Sequence, residues 1–201
     1  MFYYPWGQDE DDDSLAWIEK HPDEIRKKIY RLNKGMSVNH WNQGDWFPDD
    51  IIYDISPDKG IKMADAVPNY SSLLFVSECL KCLLEKESDA NFEFLRIGVR
   101  NKKGHTIKED YFIANLLDSV ECVDKGKSDF RMDSIIKSQV DIFKLLVLDE
   151  SKLEKNIKIF RLKEKMNLII IREDLAQKIK DEGCTGVAFS NLDEYGIRYR
   201  D

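Results

Sequence analysis

Long apolar runs are missing from this chain of 201 residues. Its apolar stretches are only a few residues each, far short of the ~20 that cross a bilayer, so no membrane association is expected. The start, MFYYPWGQDEDDD, has no basic segment followed by an apolar one and does not read as a secretory signal. Histidine is scarce: His21, His40 and His105 sit in three separate loops or helix starts, which excludes a two-histidine metal spacing. Cysteine is equally sparse. Four thiols in a chain this long, without a secretory signal, read as reduced thiols of a cytoplasmic protein. Cys79 and Cys82 form a C-x-x-C spacing that invites zinc or redox chemistry. A structural zinc site needs four ligands, however, and the scattered Cys122 and Cys184 supply no second pair. Buried, inert thiols are the expectation. Glycine-rich phosphate loops, a G-x-S-x-G elbow and an H-E-x-x-H helix are absent, so no cofactor and no metal are expected. The adjacent acids Asp49/Asp50, Glu109/Asp110 and Glu173/Asp174 fall at turns or helix starts, where capping and solvation account for them. A basic stripe is lacking too, which disfavours nucleic acid.

What is present is apolar residues at 42%, with four Trp, eight Tyr and ten Phe, enough for a substantial core. The charge is localised. Residues 1–24 hold eight acids and one base, Lys20, a net of −7 that equals the net charge of the whole chain. The remaining residues are therefore neutral overall. Such a run is ordinarily a solvated segment; its sharper reading is a negative patch that meets a basic partner and raises the association rate.

The stretch NIKIFRLKEKMNLIIIREDLAQKIKDEGCTGVAFS, residues 156–190, organises the rest. It reads as strand, turn, strand, helix, strand. Leu168–Ile171 is a continuous apolar run that predicts a strand buried on both faces. Leu175, Ala176 and Ile179 then share a helical face, with Gly183 at the left-handed stop. Upstream, residues 1–13 predict an edge strand and a loop, and Ser14–Lys20 a helical turn capped by Ser14. Pro22 to Gly35 predicts a helix burying Ile25, Ile29 and Leu32. Residues 36–60 read as irregular, with aromatics tucked inward and a short strand over Ile51–Ile55. Ser77 predicts the N-cap of a helix to about Lys86. Strands are expected at Phe92–Val99 and Tyr111–Leu117, with Val120–Val123 extending the same sheet. Further strands are expected in the apolar run after Ser138 and at Tyr195–Tyr199, with a single helical turn over Ser151.

These elements, in this order, resemble immunity family eleven of the bacterial polymorphic-toxin systems, the Myxococcus-type immunity domain. The resemblance is carried by Val76-Ser77-Glu78, Tyr111-Phe112-Ile113-Ala114-Asn115, and Val120, Cys122, Val123 and Asp124. It continues through Ser128, Ile159-Phe160-Arg161-Leu162, Ile169 to Leu175, and Gly186-Val187-Ala188-Phe189, and so spans about residues 65–190. Arg172 departs from the pattern, which has a serine N-cap there. The resemblance implies a cytoplasmic, non-enzymatic protector that binds and neutralises a cognate toxin or effector domain by a stoichiometric complex. Ser77, Tyr111, Asn115, Asp124, Phe160, Arg161, Gly186 and Phe189 are then expected to be structural.

The expected fold is α+β: a single domain with a mixed or mainly antiparallel sheet and helices largely on one face. Residues 1–60 form an acidic and aromatic segment packed on an immunity-type unit of residues 61–201. Specificity for one partner belongs to the divergent parts, so contact with a basic toxin face is expected at Asp9, Asp11, Asp12, Asp13, Trp17, Trp41 and Trp46. Edge strands at both ends are compatible with a monomer or a homodimer. Two alternatives stand beside this reading. One is a regulatory adaptor. The other is a small enzyme, a thiol hydrolase or a reverser of a toxin modification, which requires a concave site gathering Cys184 with His40, or an Asp with Arg161.

Overall fold

The computed structural model describes residues 2–39 and 46–196. The alternating aromatics at the start form β1 (Tyr3–Gln8), and two short helices follow, α1 (Asp23–Arg26) and α2 (Ile29–Asn33). Next come β2 (Ile52–Asp54), β3 (Ala66–Val67), β4 (Phe75–Ser77), α3 (Glu78–Glu87), β5 (Phe92–Arg100) and β6 (Tyr111–Leu116). The second half supplies β7 (Ser119–Val120), β8 (Asp129–Met132), β9 (Val140–Leu145), β10 (Ile159–Leu162), β11 (Lys165–Arg172), α4 (Glu173–Asp181) and β12 (Val187–Phe189). A single 3-10 turn, Glu150–Lys152, lies where a helical turn is expected. The class is α+β.

The strands divide between two five-stranded sheets and a two-stranded ribbon, β8–β9. One sheet runs β12-β1-β11-β10-β7, antiparallel except for β10 with β7. The other runs β2-β5-β6-β4-β3, antiparallel except for β2 with β5. The period-2 geometry of strands sorts residues among three apolar clusters. On β6, Tyr111 and Ile113 face α1, α2 and β2, whereas Phe112, Ala114 and Leu116 face α3 and α4. On β11, Ile169 and Ile171 join that same helix layer, and Leu168 and Ile170 point the other way, toward Phe143 of β9. That double burial is why Leu168–Ile171 is apolar without interruption.

The helices end as their residues dictate. The Ser77 hydroxyl accepts the Leu80 N–H at 3.2 Å, capping α3. Gly35 and Gly183, with φ of +61° and +73°, stop α2 and α4. The single helix expected from Pro22 to Gly35 is two. Between its halves the chain tightens to three-residue hydrogen bonds, Lys28 N–H to Ile25 O at 2.7 Å and Arg31 N–H to Lys28 O at 2.9 Å. Ile25, Ile29 and Leu32 still reach one core.

Four further expectations are corrected. β1 is not an edge strand: Tyr3–Pro5 pair with β11 and Trp6–Gln8 with β12, so it lies inside its sheet. Residues 15–18 are extended rather than helical, because Leu15, Ala16, Trp17 and Ile18 are all buried, which one helical face cannot do. β7 leaves the β6 sheet and pairs with β10 in the other. Cys79 and Cys82 are exposed, since Leu80, Leu83 and Leu84 take the buried positions of α3. Residues 197–199 of the expected last strand lie outside the described residues, and Tyr195 is in a turn.

Candidate functional site: an acidic loop and a neighbouring cleft

β1 delivers the chain into the acidic loop. Asp9 donates its N–H to Gly186 O at 3.2 Å, and its carboxylate accepts the Asp11 N–H at 3.2 Å. Asp12 Oδ1 accepts the Ser14 hydroxyl at 2.5 Å and the Ser14 N–H at 3.0 Å, while Lys62 Nζ lies 3.5 Å from Asp12 Oδ2. The Ser14 hydroxyl, then its N–H, and Lys62 hold the Asp12 carboxyl below its usual range. Asp12 therefore shapes the turn, and Asp11 and Asp13 stand exposed on it without an ion pair among the described residues.

The chain leaving this loop is buried. Leu15 and Ile18 form parallel bridges with Lys62 and Asn69. Trp17 is only 7% exposed: the Tyr70 ring packs on it at 5.3 Å and Lys59 Nζ lies 4.6 Å from its centre. Trp46 is also 7% exposed, its indole N–H donating to Ser37 O at 3.4 Å with Arg31 over the ring at 5.6 Å. Both indoles are therefore largely withdrawn from the surface. Trp41 and His40 lie outside the described residues. The apolar groups at this surface are instead Tyr70, 65% exposed, and Ile61, 71% exposed. Asn69 fixes Tyr70 outward, its Nδ2 donating to Val67 O and Leu73 O and its Oδ1 accepting from Ser71 and Leu73. Pro68-Asn69 is the sequence signal that could have placed Tyr70 at a loop tip.

Past Ile18, residues 19–24 and 48–57 enclose a cleft of about 790 Å³. Pro22, Ile51 and Ile55 give it apolar walls, and Glu19, Glu24, Asp49 and Asp50 make it acidic. Asp54 and Arg100, also lining it, neutralise each other through two bonds, Nε to Oδ1 at 2.7 Å and Nη2 to Oδ2 at 2.8 Å. His21 is half-buried there, Nδ1 3.1 Å from the Tyr53 hydroxyl. Burial lowers the His21 pKa and raises that of Tyr53, which leaves both neutral near pH 7. Chemistry that needs a thiol finds none in this cleft. Burial pushes Cys122 and Cys184 up to about 12, and His105 sits on the exposed turn after β5. Among the described residues no group of three or more His, Cys, Asp or Glu side chains is arranged to hold a metal ion.

The remaining singled-out residues make internal contacts. Arg161 is 1% exposed and donates to four carbonyls, Leu116 O at 2.7 Å, Leu32 O at 2.9 Å, Met166 O at 3.0 Å and Asn33 O at 3.2 Å. It thereby ties β10 to the end of β6 and the C-terminus of α2. Asn115 Nδ2 donates to Met36 O and to Glu93, which also accepts the Val38 N–H. Ser77 and Thr185 both bond the Asp65 carboxylate, and the Tyr111 hydroxyl donates to Ala64 O at 3.1 Å. Asp124 closes a turn with the N–H groups of Gly126 and Lys127. Phe160 meets Tyr3 edge-on, as Phe189 meets Trp6. Gly186, at φ +79°, faces Ala66 O so closely that a Cβ has no room. Arg172, at the N-cap of α4, makes no cap bond. It grips Asp174 bidentately at 2.7 and 2.8 Å and holds the carbonyls of Lys155 and Ile157.

Among the described residues no helix is long and apolar enough to cross a membrane. No curated protein matches the chain. One family model does: that of the Immunity protein family (Imm11), over residues 11–194.

Proposed function

Because the chain belongs to the Imm11 immunity protein family, we propose that it neutralises a cognate bacterial toxin in the cytoplasm by forming a stoichiometric complex, without chemistry of its own. The observation that supports this mode is the concentration of the entire net charge, −7, in residues 1–24, where the exposed Asp11 and Asp13 sit on a braced turn. A fixed turn loses little conformational entropy on binding, and clustered carboxylates steer a basic surface toward it. Asp9 and Asp12 hold the turn. Tyr70 and Ile61, exposed beside the segment that follows, supply apolar area of the kind that anchors interfaces. The partner is thus a toxin domain with a basic face.

The test is a titration of the cognate toxin domain, with toxicity and binding kinetics read together. Neutralisation should be complete at one-to-one. Asp11→Lys with Asp13→Lys should lower the association rate by about tenfold at low salt and flatten its salt dependence. Unchanged association rate and salt dependence in that variant would remove the acidic loop from the interface. Neutralisation at ratios far below one would point to catalysis instead.

A further inference from the structure

The geometry points to a second docking point for the same partner: the cleft between residues 19–24 and 48–57 receives a lysine- or arginine-bearing loop of the toxin. This rests on the immunity reading above. Some acids on or beside strands elsewhere have their own cation, as Asp110 has Arg96 and Asp141 has Arg131. In the cleft, Glu19, Glu24, Asp49 and Asp50 have no ion pair with any described residue. Arg100 does not serve them, because both of its bonds go to Asp54. His21 adds no charge while it is neutral, which leaves Lys20 as the remaining cation of the lining.

Four unpaired carboxylates around one concavity repel each other in the free protein, and an incoming cation relieves that repulsion. The walls select which cation. Pro22, Ile51 and Ile55 offer apolar contact to an aliphatic stem, and lysine and arginine carry a charged head on such a stem. A bare metal ion would gain nothing from those walls. The volume, about 790 Å³, exceeds what one side chain fills and accommodates a short loop. Ile52, 42% exposed at the same place, extends the apolar contact toward a partner's backbone.

The acidic loop and the cleft should separate kinetically. Steering by exposed charges acts on the association rate, whereas an inserted side chain acts on dissociation. The variant Glu24→Gln/Asp49→Asn/Asp50→Asn changes three exposed side chains. It should not lower the melting temperature, while the dissociation rate of the complex with the cognate toxin domain rises about tenfold. An unchanged dissociation rate, with the wild type still neutralising the toxin, would overturn the cleft and leave the immunity reading standing. Failure of the wild type itself to bind or neutralise that domain would overturn both.

Discussion

Replacing Arg161 tests how the layers are held together. The side chain is a buried cation with no carboxylate partner among the described residues, its guanidinium spread over Leu116 O, Leu32 O, Met166 O and Asn33 O. Burial lowers its pKa to about 10 from 12.5. At ~1.4 kcal/mol per unit, keeping the charge there costs roughly 3 kcal/mol. Since the pKa falls on folding, that cost is fully present at every pH below about 10. Against it stand four hydrogen bonds from a charged donor, each worth about 1.5–3 kcal/mol, or roughly 6–12 kcal/mol together. Leu32 O keeps the Gly35 N–H at 3.0 Å when the arginine is gone, so it loses least. The net loss should therefore lie toward the lower end, about 3–5 kcal/mol, a large share of the ~5–15 kcal/mol that stabilises a typical domain. Arg161→Met keeps the stem and removes the donors. Urea unfolding followed by the fluorescence of the buried Trp17 and Trp46 should show a lower midpoint at unchanged slope, and melting should fall by roughly 10 °C. A change below about 0.5 kcal/mol in Arg161→Met would refute the reasoning, because it would mean that the carbonyls are satisfied without the guanidinium.

Stability should fall as pH drops below about 6.5, since burial lowers the His21 pKa in the folded chain and the unfolded chain takes up the proton first. Urea midpoints at about pH 7.5 and about pH 5.5 measure this, and His21→Gln should remove that part of the slope. A thiol reagent should label the exposed Cys79 in the native protein, and Cys82 more slowly, because the Glu78 carboxylate that accepts its S–H raises its pKa. Cys122, buried and pushed up to about 12, should react only on unfolding, as mass spectrometry of the labelled chain would show.

Residues 156–190 were legible because each side chain there obeys one period and one burial state. Leu168–Ile171 faces cores on both sides, and a continuous apolar run is the pattern such a strand must have. Leu15–Ile18 was not legible, as four apolar residues in succession fit a buried extended segment as well as a helical turn. β8 gave no signal: Asp129, Arg131 and Met132 are exposed, and pairing with β9 rather than burial makes it a strand. The sheet to which β7 belongs depends on a partner some forty residues later, which local pattern cannot report. The acidic loop was visible as composition. The cleft was not, because it forms only when residues 19–24, 48–57 and Arg100 meet. The burial of Trp17 and Trp46 was not legible for a related reason: an amphipathic ring suits an interface and a core equally, and Trp17 lies under Tyr70 and Lys59.

Among the described residues β1 is the first strand, yet its partners β11 and β12 are the last two. During synthesis Tyr3–Gln8 emerge from the ribosome and have no template until about 160 further residues have been added. Every strand of the sheet built around β6 lies at or before Leu116, so its strand pairs are available in the meantime. The acidic loop, held at its root by Gly186, is therefore set in place only after that residue has been added. A nascent chain that stops short of β12 would carry every one of those carboxylates and still lack the scaffold that presents them, so the acidic surface would form in one step once residues 165–189 exist rather than gradually along the chain.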